Sequence, residues 1–258
     1  MTSHLTRSVV SLALALYALW TAGTWFFEGR IETLLRPGAT ADRLIYALAV
    51  NLLLGIVGSV LLLGWLGRRP GAPGPERSGF GSWKRTVMCT IIGFALGLAT
   101  YVGQGAPSLD PVVVTNAFAQ VFVVSVAEVI VCWALVGAAV EAALSPRMGR
   151  ASTVCAALMS AVLFGAYHFA HSTPFNTWSM VALLSVVGLV TGAFFFLSRD
   201  VLGTAVFHNF LGTFGVTQAL AATGGLATLE AIQVPLVGTA LTTTAVLLAG
   251  YWWVRHSR

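Results

Sequence analysis

The sequence predicts an all-α, polytopic membrane protein of about eight helices. Two compositional facts carry this: 57% of the 258 residues are hydrophobic, and only 9% are charged. The third observation is that apolar runs of about 18 or more residues, the length of a spanning helix, recur along the whole chain. A soluble domain carries about 25% charged residues, so this chain, with a mean hydropathy of +0.85, must turn its surface to lipid.

The runs fall near 8–27, 45–67, 86–104, 111–144, 152–171, 177–197, 201–220 and 233–253. The first superficially resembles a signal peptide, because Arg7 precedes the apolar stretch Val9 to Leu16. It continues through Trp20 to Phe27 without an A-x-A-like cleavage site, so it reads as a retained first helix. The connection from Glu28 to Arg43 mixes three acids with three arginines and is expected to lie along the membrane interface. After the second run comes a Gly- and Pro-rich basic linker, Gly67 to Arg85, the only connection long enough to be flexible. It divides a two-helix N-terminal part with its linker (1–84) from a six-helix core (85–258). No internal repeat or low-complexity tract is visible.

The fourth run, Pro111 to Leu144, is 34 residues long. As one helix it would extend about 51 Å, against a hydrocarbon core of roughly 30 Å. It must tilt, break, or begin as an extramembrane turn at Asp110-Pro111. With the buried part starting near Gln120, Glu128 sits well inside. Trp20, Trp25, Trp65, Trp83, Trp178, Trp252 and Trp253 lie near run ends, where interfacial anchors belong. Trp133 is deep in the fourth run.

The net charge of +5 is distributed over loops, which points to membrane topology and not to nucleic acid. With the N-terminus inside, the inner face collects Arg7, the five cations of the second loop, Arg147, Arg150, Arg199, Arg255 and Arg258. Only Arg30, Arg36 and Arg43 fall outside, balanced by Glu28, Glu32 and Asp42. Both termini are therefore expected in the cytoplasm. Cys89, Cys132 and Cys155 all lie in apolar runs at no metal-like spacing and read as small packing residues.

Ionisable side chains inside a membrane are costly and mark function by default. Three stand on three different runs: Glu128 in the fourth, His168 in Phe164-Gly165-Ala166-Tyr167-His168, and His208 in the seventh, followed by Asn209. His171 is read as a boundary residue before Ser172-Thr173-Pro174. Glu141 lies at the inner end of its run and Glu230 in a loop. Each of the three could be structural: a neutral Glu or a carbonyl-bonded His also glues helices together. Adjacent residues on a helix point about 100° apart, so His208 and Asn209 should not share one face.

Taken together, these residues resemble the CAAX-protease and bacteriocin-processing family of intramembrane glutamic endopeptidases. That family carries E-E-x-x-x-R, F-x-x-x-H and H-x-x-x-N motifs on successive helices. The order and approximate spacing are matched over residues 111–220, and F-x-x-x-H is complete at Phe164 and His168. If Glu128 is the first glutamate of the first motif, Val129 replaces the second, Trp133 the arginine, and Ala134 takes the small position after it. If it is the second, Ala127 replaces the first and Cys132 the arginine. The first register accounts for Ala134 and is preferred. In the third motif Gly212 stands where asparagine is common.

The resemblance implies intramembrane proteolysis of a membrane-associated peptide or protein without a cofactor, in a bacterial inner membrane. Glu128 and His168 would deprotonate a water, and His208, with Asn209, would stabilise the oxyanion. Zinc held by Glu and two His ranks lower, since no H-E-x-x-H pair supplies two ligands from one helix face. The rival reading is a degenerate relative that binds a membrane peptide in an immunity or scaffold role; a transporter ranks lower, as no repeated halves are visible. Depth raises one conflict. By helix rise, Glu128 and His168 lie about 24 Å from the inner ends of their helices and His208 only about 10 Å. The three meet only if the Arg199-Asp200 turn is recessed or the helices tilt strongly.

Overall fold

The computed structural model describes residues 2–30, 39–69 and 71–257, with side chains from Ser8 onward except that of Thr40. Eight long helices follow one another: α1 (Ser8–Gly29), α2 (Ala41–Leu66), α3 (Trp83–Gly103), α4 (Pro111–Met148), α5 (Ala151–Ala170), α6 (Trp178–Ser198), α7 (Val201–Ala222) and α8 (Val234–His256). The all-α expectation holds; among the described residues the β interactions amount to one isolated bridge, Phe80 to Asp200. Glu32, Arg36, Arg258 and the Arg7 side chain, which entered the charge balance, lie outside the described residues, as does the middle of the first connection.

Helix α4 is the hub, and α1, α2, α5, α7 and α8 all pack against it. Asp110 caps it by accepting hydrogen bonds from the Val112 and Val113 amides, and Pro111 fills the first turn, where no amide is needed. It runs unbroken from Pro111 to Met148, and protein covers its middle: every residue from Ser125 to Glu141 is buried. Directly after Glu128 the helix widens to a π-type winding over Val129–Gly137. Local widening of this kind is common at functional sites.

Among the described residues, seven of these eight helices are long and apolar enough to cross a membrane, and α7 is the one that is not. It carries Thr204, His208, Asn209, Thr213 and Thr217, all buried, and packs among α3, α4 and α6. Polar side chains are tolerated at membrane depth when protein surrounds them. The contact with α3 is close because both helices lack side chains there. A Cβ on Gly203 would lie 2.6 Å from the Cys89 backbone, and one on Gly93 would lie closer still to the Gly203 carbonyl. Large apolar side chains such as Leu197, Val162 and Ile91 point outward, where lipid would cover them.

The linker after α2 is folded back over the α6–α7 turn. The Gly79 carbonyl accepts from the Val201 amide at 3.0 Å, Arg199 donates to the Arg77 carbonyl, and Phe80 is buried against Tyr251. Asp200, fully buried below it, caps α7 through the Gly203 amide and accepts from Thr86 and Tyr251. Burial pushes its carboxyl above the ordinary aspartate range, against the lowering effect of those hydrogen bonds. Arg199 reaches across to Glu141, which also accepts from Thr153. The α6–α7 turn is thus covered by protein.

Two sequence expectations need correction. Trp25, Trp65, Trp83, Trp178 and Trp252 are exposed near helix ends as anchors should be, but Trp20 is fully buried. Its ring stacks on Tyr167 at 3.8 Å and its indole N–H donates to Asn51 Oδ1, partners invisible from the position in the run. Trp253 is half-buried and packs over Gly64. The second correction is Glu28, expected at the interface. It lies on the last turn of α1 and is only 3% exposed, because Ser172 and His171, in the turn after α5, satisfy it.

Candidate active site

Glu128, His168 and His208 come together although α4, α5 and α7 bring them from distant parts of the chain. His208 Nε2 lies 3.0 Å from Glu128 Oε2, and His168 Nε2 lies 3.7 Å from Glu128 Oε1. All three side chains are buried. They sit at the inner end of a cavity of about 840 Å³ with mostly apolar walls, including Val121, Val124, Leu183, Leu184, Val187 and Leu211. Its other walls include the last turn of α1, the start of α2, the end of α3 and the start of α8, so it occupies the end of the bundle opposite both termini.

The second ring nitrogens decide the tautomers. His168 Nδ1 lies 2.8 Å from the Phe164 carbonyl, an acceptor only, so Nδ1 carries the proton. In the neutral ring Nε2 is then bare and faces Glu128 Oε1. His208 Nδ1 pairs with Thr191 Oγ1 at 2.8 Å. When Glu128 is ionised, His208 must donate through Nε2 and accept at Nδ1 from the Thr191 hydroxyl. The 3.7 Å gap between Oε1 and His168 Nε2 therefore separates two acceptors, a spacing that a water donating both its protons can bridge.

Phe164 holds both imidazoles edge-on, with ring centroids 4.8 Å from His168 and 5.2 Å from His208. Trp133 backs the same cluster, 5.2 Å from Phe164 and 5.8 Å from His208, and its indole N–H has no hydrogen-bond partner. Ala127 faces away, toward α2, where a Cβ on Gly55 would come within 2.8 Å of its methyl. Gly212 lines the cavity one turn beyond His208 and offers no side chain there. Asn209 is buried outside the cavity: its Oδ1 accepts from Ser125 Oγ at 2.9 Å, and its Nδ2 donates to the Phe118 carbonyl at 2.9 Å. Both functions of that amide tie α7 to α4.

Two residues of the site escaped the sequence reading. Glu28 and His171 line the same cavity, and His171 Nδ1 lies 3.2 Å from Glu28 Oε2. The His171 ring stacks on His168 with centroids 5.0 Å apart. The one available signal was the three-residue spacing of the histidines, which places both on one side of a helical turn. Among the described residues no group of three or more His, Cys, Asp or Glu is arranged to hold a metal ion.

Fold and cluster together define a polytopic helical membrane protein with a buried carboxylate–imidazole site at the bottom of an apolar cavity. Residues 110–214 match the protein-family model described as type II CAAX prenyl endopeptidase Rce1-like. The match spans under half of the chain and includes Glu128, His168, His208 and Asn209, and the family it names is one of proteases. Searches of curated proteins and of solved structures returned no match.

Proposed function

We propose that this protein is an intramembrane endopeptidase whose general base is Glu128 and whose substrate is a membrane-associated peptide or protein. The observation that carries the reading is the pair of acceptors, Glu128 Oε1 and His168 Nε2, 3.7 Å apart at the end of an apolar cavity. A water donating to both has its lone pairs free to attack a peptide carbonyl lying in the cavity. As its oxygen bonds to the carbonyl carbon, one proton passes to Glu128. His208 holds the other carboxylate oxygen and Thr191 holds His208, so the base is fixed in direction before substrate arrives.

Packing supports Glu128 as the counterpart of the family's first glutamate. Ala127 points at Gly55, leaving no room for a second carboxylate, whereas Trp133, at the arginine position of that register, buttresses His208. We assign Asn209 to positioning, since its amide is fully occupied by Ser125 and the Phe118 carbonyl. An apolar cavity open at membrane depth suits a lipid-embedded segment better than a soluble peptide. With the termini inside, it would face the outer side of a bacterial inner membrane.

Glu128→Gln keeps shape and hydrogen bonding but removes the base. The expected result is a protein that expresses and melts like wild type while processing of its substrate falls by about 10²–10⁴-fold. Comparison of membrane peptides from deletion, wild-type and Glu128→Gln cells reads this directly. Normal processing in Glu128→Gln cells would overturn the catalytic assignment. Loss of a partner protein on deletion, without any accumulated precursor, would favour a peptide-binding or scaffold role.

A further inference from the structure

Glu28 is held where no sequence pattern would put a functional carboxylate. Its Oε2 accepts from the Ser172 amide at 2.8 Å and faces His171 Nδ1, while its Oε1 accepts from the Ser172 hydroxyl. Gly29 makes this possible: a Cβ there would lie 2.0 Å from the Ala170 carbonyl, so the end of α1 meets the end of α5 backbone to backbone. With Nδ1 donating to the carboxylate, His171 turns Nε2 away from Glu28, and that nitrogen is buried without a hydrogen-bond partner. Tyr167 and Tyr46 hold the ring edge-on at centroid distances of 4.8 and 6.2 Å. An unpartnered buried nitrogen is costly unless something occupies it during function.

We propose that Glu28 and His171 form a second acid–base pair of the same site, in which His171 is the proton donor to the leaving amine. This rests on the endopeptidase reading and deepens it. The step balances without a co-reactant. Water gives its hydroxyl oxygen to the carbonyl carbon and a proton to Glu128. The C–N bond then breaks with its electron pair going to nitrogen, which takes a proton from Nε2 of protonated His171. After the products leave, Glu128 gives its proton to solvent water and His171 takes one from it, restoring both groups. Glu28 is a positioning residue here, orienting the ring, while His171 is the group that gives its proton to the leaving nitrogen.

The test uses full-length protein in lipid nanodiscs, with histidine nitrogens labelled for magnetic resonance and a library of quenched fluorescent apolar peptides as probe. The His171 signal is identified by its loss in His171→Asn. Glu28→Gln, which can still accept from the Ser172 amide, is expected to melt like wild type but shift the His171 nitrogen resonances. Both Glu28→Gln and His171→Asn are expected to lower kcat, His171→Asn by about 10²-fold or more, with KM within twofold of wild type. Glu28→Asp is expected to keep more activity than Glu28→Ala. Unchanged His171 resonances in Glu28→Gln, or His171→Asn retaining kcat within twofold, would overturn the pair. If wild type cleaves and Glu128→Gln does not, that failure leaves the endopeptidase reading standing. If wild type and Glu128→Gln cleave alike, or neither cleaves any peptide, that reading falls and this proposal with it.

Discussion

Glu128 and His208 are 80 residues apart in the chain, yet His208 Nε2 lies 3.0 Å from Glu128 Oε2. The contact is possible because α7 is cored into the protein instead of facing lipid, its polar side chains shielded by α3, α4 and α6. The geometry also decides what His208 does at rest. Its Nε2 faces a carboxylate oxygen, so in the proposed mechanism it aims Glu128. The following outcomes are expected from this arrangement.

Thr191→Val should remove the hydroxyl that sets the His208 tautomer while leaving the volume nearly unchanged. A buried nitrogen left unpaired costs about 1–3 kcal/mol, so melting in detergent should fall measurably. Activity should fall further than stability explains. A Thr191→Ser variant, which restores the hydroxyl, should recover both.

Asn209→Ala should act on structure. It frees Ser125 and the Phe118 carbonyl in one step, breaking two buried hydrogen bonds that tie α7 to α4. A loss of roughly 1–3 kcal/mol is expected, read as a lower melting temperature with residual activity per folded molecule. A fully folded but inactive Asn209→Ala protein would instead return Asn209 to the chemistry.

Asp200 gives a pH dependence with a definite sign. Its carboxyl is raised by burial in the folded protein, so folding favours the protonated form. That contribution is present in full below the ordinary aspartate pKa of about 3.9 and is lost as pH rises through the raised folded value. Asp200→Asn should flatten this part of the stability profile, since its amide can still cap Gly203 and meet the Thr86 and Tyr251 hydroxyls. Equal slopes for Asp200→Asn and wild type would contradict the assignment.

Chelators should leave both folding and processing intact. The His208 donor faces a carboxylate oxygen and His168 Nδ1 is held by a carbonyl, an arrangement suited to a bridging water. Stoichiometric zinc retained by wild type and lost in His168→Ala would count for a metalloenzyme.

Orientation can be checked with single cysteines in a variant free of native ones. Leu109→Cys and Thr173→Cys, at exposed positions near the mouth of the cavity, should react with an impermeant reagent from outside. Glu76→Cys, exposed on the linker at the opposite end, should not. The reverse pattern would turn the cavity toward the cytoplasm.

The class of fold was legible because it follows from composition and run length: lipid must be met by apolar side chains, and a backbone in lipid must bond to itself, which makes helices. Glu128, His168 and His208 were legible for the same reason, since ionisable groups in apolar runs stand out against a uniform background. Glu28, at the polar end of its run, and His171, near a proline turn, did not stand out. Their burial depends on Gly29 meeting the Ala170 carbonyl and on Ser172 satisfying the carboxylate, contacts between segments more than a hundred residues apart. Trp20 was misplaced as an anchor because its partners Tyr167 and Asn51 come from other helices. The cover over the α6–α7 turn likewise comes from a distant segment, the linker folded back onto Asp200. Periodicity and composition determine which residues must leave water; only the packing of one helix against another decides which of them meet.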